Sequence, residues 1–293
     1  MTDIVLETQN FGYTYGGNFS AVRDLSIQVR RGELYALLGT NGAGKTTTLE
    51  TLEGHRKPTS GRVAVFGGDP TDRKDIRPRM GIMLQESGFA ADLNVRESIL
   101  LAGAISGRQD DVDRVLKAVD LTDKATTRVG QLSGGQKRRL DFAMAIWGTP
   151  ELLFLDEPTT GLDPSARDGL WNVVAGLRDE GVTVILTTHY LEEAQKHADR
   201  IGLMHAGRLE REGTLSELVA GESSHISFIA PVGAELPLAI TSTANGVTTI
   251  DSTDLQRDLY TLLSWADQGG HRLERLSATS SSLDDVFRSL SNH

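Results

Sequence analysis

Leu34-Tyr35-Ala36-Leu37-Leu38-Gly39-Thr40-Asn41-Gly42-Ala43-Gly44-Lys45-Thr46 decides the fold of this chain. The apolar run reads as a buried strand that enters a glycine-rich turn. The turn fits G-x-x-x-x-G-K-[ST], and Thr46-Thr47-Thr48-Leu49-Glu50-Thr51-Leu52 continues as the helix after it. The glycines let the backbone curl so that its N–H groups face phosphates. Lys45 then reaches the β- and γ-phosphates, and the Thr46 hydroxyl ligates Mg²⁺. A chance glycine turn is the alternative, and the flanking strand and helix argue against it. The nucleotide-binding positions of this segment are Gly39, Asn41, Gly42, Ala43, Gly44, Lys45, Thr46 and Thr47.

Outward from the turn, residues 4–33 read as β-structure, with short apolar or alternating runs punctuated by Gly12, Gly16, Gly17 and Gly32. Val63-Ala64-Val65-Phe66 is a further strand ended by Gly67-Gly68. From about residue 86 to 148, apolar positions such as Val95, Ile99, Val112, Val115 and Leu116 fall at helical spacing. This predicts a helical subdomain inserted into an α/β core. Asp110, Asp111 and Asp113 read as a solvated helix start. Leu152 to Leu155 and Val182 to Leu186 are continuous apolar runs, the pattern of a parallel sheet covered on both faces. A boundary is expected at 219–223. The expected domains are 1–220, and 221–293 as a small accessory α/β domain with strands at 225–230, 246–251 and 272–277 and helices at 254–267 and 283–290.

Chemistry gathers at strand ends. Leu152-Leu153-Phe154-Leu155-Asp156-Glu157 presents two acids at the end of a buried strand. Asp156 suits the second carboxylate near Mg²⁺, and Glu157 is placed to orient and activate an attacking water. Gln85 follows the strand-like Met80-Gly81-Ile82-Met83-Leu84, although a lone Gln is often only surface polarity. His189 follows Val184 to Thr188 and is the histidine placed to touch the γ-phosphate. His55, His197, His205, His225, His271 and His293 have no such placement and read as structural or surface residues.

Leu132-Ser133-Gly134-Gly135-Gln136 supplies a hydroxyl and glycine N–H groups at the start of a helix, the donors an anion needs there. The chain already has a complete phosphate cradle, so this second loop points to a nucleotide held by another copy. The following Lys137-Arg138-Arg139 reads as a solvated helix face rather than a nucleic-acid contact, because the chain carries a net charge of −10. With no cysteine, disulfides, thiolate nucleophiles and Cys-ligated zinc are excluded. The first residues lack a secretion-signal pattern, and no apolar run approaches the roughly 18–20 residues of a membrane-spanning helix. A cytoplasmic chain without a nucleic-acid partner is expected.

Taken in order, the P-loop, Gln85, Leu132 to Gln136, Asp156-Glu157, Gly161-Leu162-Asp163 and His189 resemble the nucleotide-binding subunits of ABC transporters over residues 4–219. The resemblance implies a P-loop NTPase core with a parallel sheet, an N-terminal antiparallel β-subdomain and an inserted helical subdomain. It implies ATP and Mg²⁺ as ligands, with Thr46, Gln85 and Asp156 around the metal and Glu157, His189 and Gln85 as the catalytic set. Ser133 and Gly135, with Gly134 and Gln136 beside them, would serve the γ-phosphate of a partner copy's ATP. Asp163 would lie in the loop crossing the dimer seam. Gln85 would contact the lytic water and sense the transport domain. Tyr15 matches the aromatic that stacks on adenine, with Tyr13 the competing choice.

Leu84-Gln85-Glu86-Ser87-Gly88, Gly135 to Leu140, Asp156 to Pro164 and the tail Ser282-Leu283-Asp284-Asp285-Val286-Phe287 are similar to the daunorubicin-resistance-like exporter ATPases. Thr40 departs from that family's usual Pro at an x position of the motif. The implied partners are a second copy and an integral membrane permease that holds the chain at the inner face of the membrane. An importer ATPase, or a soluble ABC ATPase of translation or DNA repair, is the alternative. Cargo specificity lies with the permease.

Overall fold

The protein is seen in a computed structural model that describes residues 3–72, 74–85, 88, 90–231 and 233–291. Glu86 and Ser87 of the exporter-like run, and His293, lie outside the described residues. Contacts divide the chain into two compact units, Met1–Thr214 and Leu215–His293.

The first unit opens with an antiparallel sheet. Strands β1 (Ile4–Tyr15), β2 (Phe19–Leu25) and β3 (Gln28–Arg30) are ordered β2-β1-β3, and β5 (Ser60–Val65) also pairs with β1. Between them the chain leaves for β4 (Leu34–Gly39), turns through the P-loop and returns as α1 (Lys45–Leu52). The central sheet runs β10-β9-β4-β8-β7-β6, built from β4, β6 (Met80–Met83), β7 (Leu152–Asp156), β8 (Thr183–Thr187), β9 (Arg200–His205) and β10 (Arg208–Gly213). Every residue of β7 and β8 is buried, which is why both read as unbroken apolar runs.

The expectation of a parallel sheet needs one correction, at its edge. β10 returns antiparallel on β9 through Ala206 and Gly207, at φ 46° and 83°. Two left-handed residues match the twist of a tight hairpin. Ala206 is a poor advertisement for that turn.

A single core joins the sheets. Leu37, Phe154 and Ile185 of the central sheet, Leu49 and Leu52 of α1, and Leu6, Phe11 and Val22 of the antiparallel sheet pack in one cluster. Burying a Leu or Phe is worth roughly 1.5–3 kcal/mol, so α1 and the P-loop at its head are held from both sides.

Helices α2 (Val95–Ser106), α3 (Val112–Ala118) and α4 (Gly134–Ile146) fall between β6 and β7, and α5 (Pro164–Asp179) and α6 (Leu191–His197) flank β8. Asp111 caps α3 as a helix start should. Asp110 is not solvated: its side chain is 8% exposed, pairs with Arg114 and accepts a 2.7 Å bond from the Gly148 N–H. It ties the head of α3 to the chain just beyond α4.

The second unit contains α7 (Leu215–Val219), β11 (Ser224–Ile229), β12 (Ser242–Ala244), β13 (Val247–Ser252), α8 (Leu255–Gly269), β14 (Glu274–Thr279) and α9 (Leu283–Ser291). Its antiparallel sheet is ordered β12-β13-β11-β14 around Ile226, Phe228, Ile250 and Leu262. The short β12 escapes the sequence reading, although Asn245-Gly246, both at positive φ, is the strongest hairpin signal in the tail. His225 is bridged to Asp251 at 2.8 Å and to Asp285 of α9 at 3.1 Å.

Candidate active site

Glycine is forced on the P-loop by its neighbours. Gly44 has φ 97°, and a Cβ there would lie 2.3 Å from the Ala21 carbonyl oxygen. At Gly39 the same atom would lie 2.4 Å from the Met204 carbonyl oxygen. Lys45 Nζ folds back to donate to the carbonyls of Gly39 at 2.7 Å and Thr40 at 3.2 Å. Burial lowers the Lys45 pKa, and the charges of Glu157 and Asp156 oppose that shift. Residues Asn41 to Thr47 line a cleft of about 400 Å³ together with Tyr15, Phe19, Gln85, Asp156 and Glu157. Tyr15 and not Tyr13 lines it, with its hydroxyl 3.1 Å from Thr47 Oγ1. Phe19 is a cleft residue that the sequence reading missed.

Asp156 ends β7 with only 8% exposure, and its carboxylate accepts from the Thr187 hydroxyl. Burial raises its pKa, as does the neighbouring Glu157, while the Thr187 bond, Arg138 and Lys45 work the other way. Glu157 follows in the left-handed region at φ 47°, and its N–H is bonded to the Thr187 carbonyl at 3.0 Å. Left-handed backbone is uncommon outside glycine and marks a position held by its surroundings. The Glu157 carboxylate accepts from Gln85 Nε2 at 3.3 Å and lies 3.3 Å from His189 Nδ1. Gln85 follows β6, Glu157 follows β7 and His189 follows β8, three adjacent parallel strands. Sheet order brings the three together.

Arg138 corrects the solvated reading of Lys137-Arg138-Arg139. It is 9% exposed and donates to the carbonyls of Leu84, Gln85, Asp156, Glu157 and Pro158. Burial lowers its pKa against the opposing charges of Asp141, Asp156 and Glu157. One guanidinium thus holds the backbone that carries Gln85, Asp156 and Glu157. The signal lay in its helix: Arg138, Asp141, Phe142 and Ala145 recur at the spacing of one face, and all four are buried.

The Ser133–Gln136 segment is placed differently. Ser133 caps α4, its hydroxyl accepting from the Gln136 N–H at 3.2 Å while Gln136 Oε1 accepts from the Ser133 N–H at 2.9 Å. A Cβ on Gly134 would meet nothing within 4 Å, and one on Gly135 would make ordinary contacts of 3.7 Å with Gly161 and 3.8 Å with Leu162. The residues lining the P-loop cleft include neither this segment nor Asp163, which caps α5 by accepting from the Ala166 N–H at 2.9 Å. Thr46, Gln85 and Asp156 do line it. Their hydroxyl, amide and carboxylate oxygens are the hard donors Mg²⁺ prefers.

Residues 22–160 match the family described as ABC transporter, and residues 224–282 match a family described as ABC transporter domain-containing protein-like, C-terminal domain. The daunorubicin/doxorubicin resistance ATP-binding protein DrrA of Streptomyces peucetius is 36% identical, over 98% of this chain and 92% of its own. The Nod factor export ATP-binding protein I of Burkholderia lata is 41% identical over 70% of either chain. A dimeric, post-hydrolysis ATP-binding cassette solved with ADP and Pi aligns at TM-score 0.65 and 25% identity, over 71% of this chain and 98% of that one.

Proposed function

The chain belongs to the ABC transporter ATP-binding family and is an ATPase, and we propose on that premise that two copies close around ATP to drive export through a separate membrane permease. The observation that carries this reading is the split between two half-sites. Glu157 and Gln85 line the P-loop cleft, and His189, which is not among the lining residues, reaches the same Glu157 carboxylate, whereas the α4 head and Asp163 neither line the cleft nor are bonded to that carboxylate.

In this reading ATP lies with its phosphates on the N–H groups of Gly42 to Thr46 and on Lys45, and its base against Tyr15. Thr46, Asp156 and Gln85 would hold Mg²⁺, which when bound neutralises charge on the phosphate oxygens. Glu157 orients the attacking water and takes up its proton, with Gln85 and His189 holding the carboxylate in place. Catalysis is positioning and charge stabilisation, without a covalent intermediate. Ser133, Gly134, Gly135 and Gln136 of the second copy cover the γ-phosphate with the head of α4, and Asp163 stands at the seam. In this reading residues 1–220 make the ATPase domain and residues 221–293 an accessory domain, while α7 (Leu215–Val219) belongs by its contacts to the second compact unit.

The names of the two relatives, one a resistance protein and one an export protein, favour outward transport. Among the described residues no helix is long and apolar enough to cross a membrane, which fits a chain held at the inner face by its permease. The experiment is to purify the tagged chain from membranes, identify the co-purifying membrane protein, and measure ATP-driven cargo uptake by inside-out vesicles carrying both. Accumulation inside the vesicles is the expected result. Cargo depletion would make it an importer, and co-purification with ribosomes or DNA would remove the transport role.

A further inference from the structure

Two successive glutamates open α6, and the fold treats them differently. Glu192 is exposed, whereas Glu193 is 6% exposed and its carboxylate turns back to the loop that carries His189. In that loop the Thr188 hydroxyl oxygen accepts from the Tyr190 N–H at 2.9 Å, closing a turn around His189. The single hydroxyl hydrogen is left for Glu193 Oε2, which accepts it at 3.2 Å. Glu193 Oε1 has no hydrogen-bond partner among the described residues and faces Arg167 Nε of α5 at 3.6 Å. The Arg167 guanidinium also lies 4.9 Å over the Tyr190 ring, and that ring meets the His189 imidazole at 4.0 Å between centroids. His189 itself is 47% exposed, so burial does not hold its Nδ1 at 3.3 Å from the Glu157 carboxylate. A buried carboxylate is costly unless charge and hydrogen bonds answer it. The steps of hydrolysis make no use of Glu193, yet both groups it meets belong to the surroundings of His189.

We propose that Glu193 and Arg167 form a brace that sets His189 against Glu157, acting through Thr188 and Tyr190. All four are positioning residues, and none of them lines the P-loop cleft. The brace rests on the reading of Glu157 as the base and of His189 as a group that holds its carboxylate. With its hydrogen committed to Glu193, the Thr188 hydroxyl keeps a lone pair on the Tyr190 N–H, and the chain stays turned at residues 188–190. Arg167 answers the buried charge and covers Tyr190, so its removal leaves a buried carboxylate without that cation. A catalytic group misplaced by about 1 Å can cost on the order of 100-fold in rate. The cost falls on turnover and not on ATP binding, because the brace has no part in the P-loop.

The test measures kcat, KM and ATP affinity of the full-length chain and its T188V, T188S, E193A, R167A and H189A variants, with thermal melts as a control for folding. T188V keeps the side-chain shape without the hydroxyl. Its kcat should fall roughly tenfold or more, while KM and ATP affinity stay within about twofold. T188S, which keeps the hydroxyl, should restore kcat, and E193A and R167A should lose it as T188V does. In an H189A background, T188V and E193A should cost less than about twofold more in single-turnover phosphate release, because the group they position is gone. H189A impaired while T188V and E193A turn over at the parent rate would overturn the brace alone, as would equal losses from them with and without His189. H189A turning over at the parent rate would remove the reading of His189, and the brace with it.

Discussion

At the P-loop, Gly39 and Gly44 are glycines because a Cβ would run into the carbonyls of Met204 and Ala21. At the head of α4, Gly134 and Gly135 meet no such demand, since the first has open space and the second only ordinary contacts. Glycine in the first turn of a helix costs up to about 1 kcal/mol against alanine. The capping box of Ser133 and Gln136 already satisfies the local backbone. One loop is therefore shaped by its own fold, while the other keeps a bare N-terminus that its fold does not need. The comparison teaches where to look for a ligand from outside the chain: at glycines the monomer has no use for.

Placing a bulky cation on the bare loop should give the largest effect. S133R is expected to drop ATP hydrolysis to background while the monomer's ATP affinity stays within about twofold, read by phosphate release and by equilibrium binding. Loss of monomer binding would contradict a half-site that serves the second copy. Next comes E157Q, which should keep ATP binding and slow turnover by roughly 100-fold or more, the scale for removing a positioned base. Near-normal turnover would take Glu157 out of that role.

The glycine contrast can be tested on stability alone. G44A should destabilise the chain by on the order of 3 kcal/mol, because it adds both left-handed strain and a clash. G135A should leave stability unchanged or raise it by up to about 1 kcal/mol in urea titrations, yet still lower ATPase activity. A similar loss in both would erase the distinction.

The smallest effect is expected away from either loop, at Glu151. Its carboxylate takes bonds of 2.6 and 2.9 Å from Arg79 and 3.1 Å from Arg31, and Arg79 above all holds its pKa at about 2, against an ordinary 4.5. A depressed carboxylate stabilises the fold fully above the unfolded value of 4.5 and loses that contribution as pH falls towards 2. The stability gap between parent and E151Q should thus be present at pH 7 and narrow progressively below pH 4.5. The side chain is 42% exposed, so the gap should be modest, and ATPase activity at pH 7 should not change. A gap that widened on acidification would reject the assignment.

Much of this was legible in order. The strand before Gly39, the helix after it, and the apolar runs ending at Asp156 and Thr187 are local patterns, carried by period and by turn chemistry. Asp110 and Arg138 were misread because a charged residue is usually solvated. Here Arg138 finds five backbone acceptors supplied by residues 84–85 and 156–158. Phe19 was passed over because a single aromatic after Gly16-Gly17-Asn18 has no meaning until the hairpin pairs it with Tyr15.

The sequence by itself determined the P-loop turn, the buried strands and the helix caps, because each depends on residues within a few positions of one another. Only the tertiary structure decided that Tyr15 and not Tyr13 lines the cleft, that Arg138 is buried, that β10 reverses, and that Gln85, Glu157 and His189 meet at one carboxylate. Those outcomes rest on which strands lie side by side. In this sheet β6, β7 and β8 are neighbours although long helical segments separate them in the chain. Such pairing is settled by burial of the shared core, which no local window of sequence can contain.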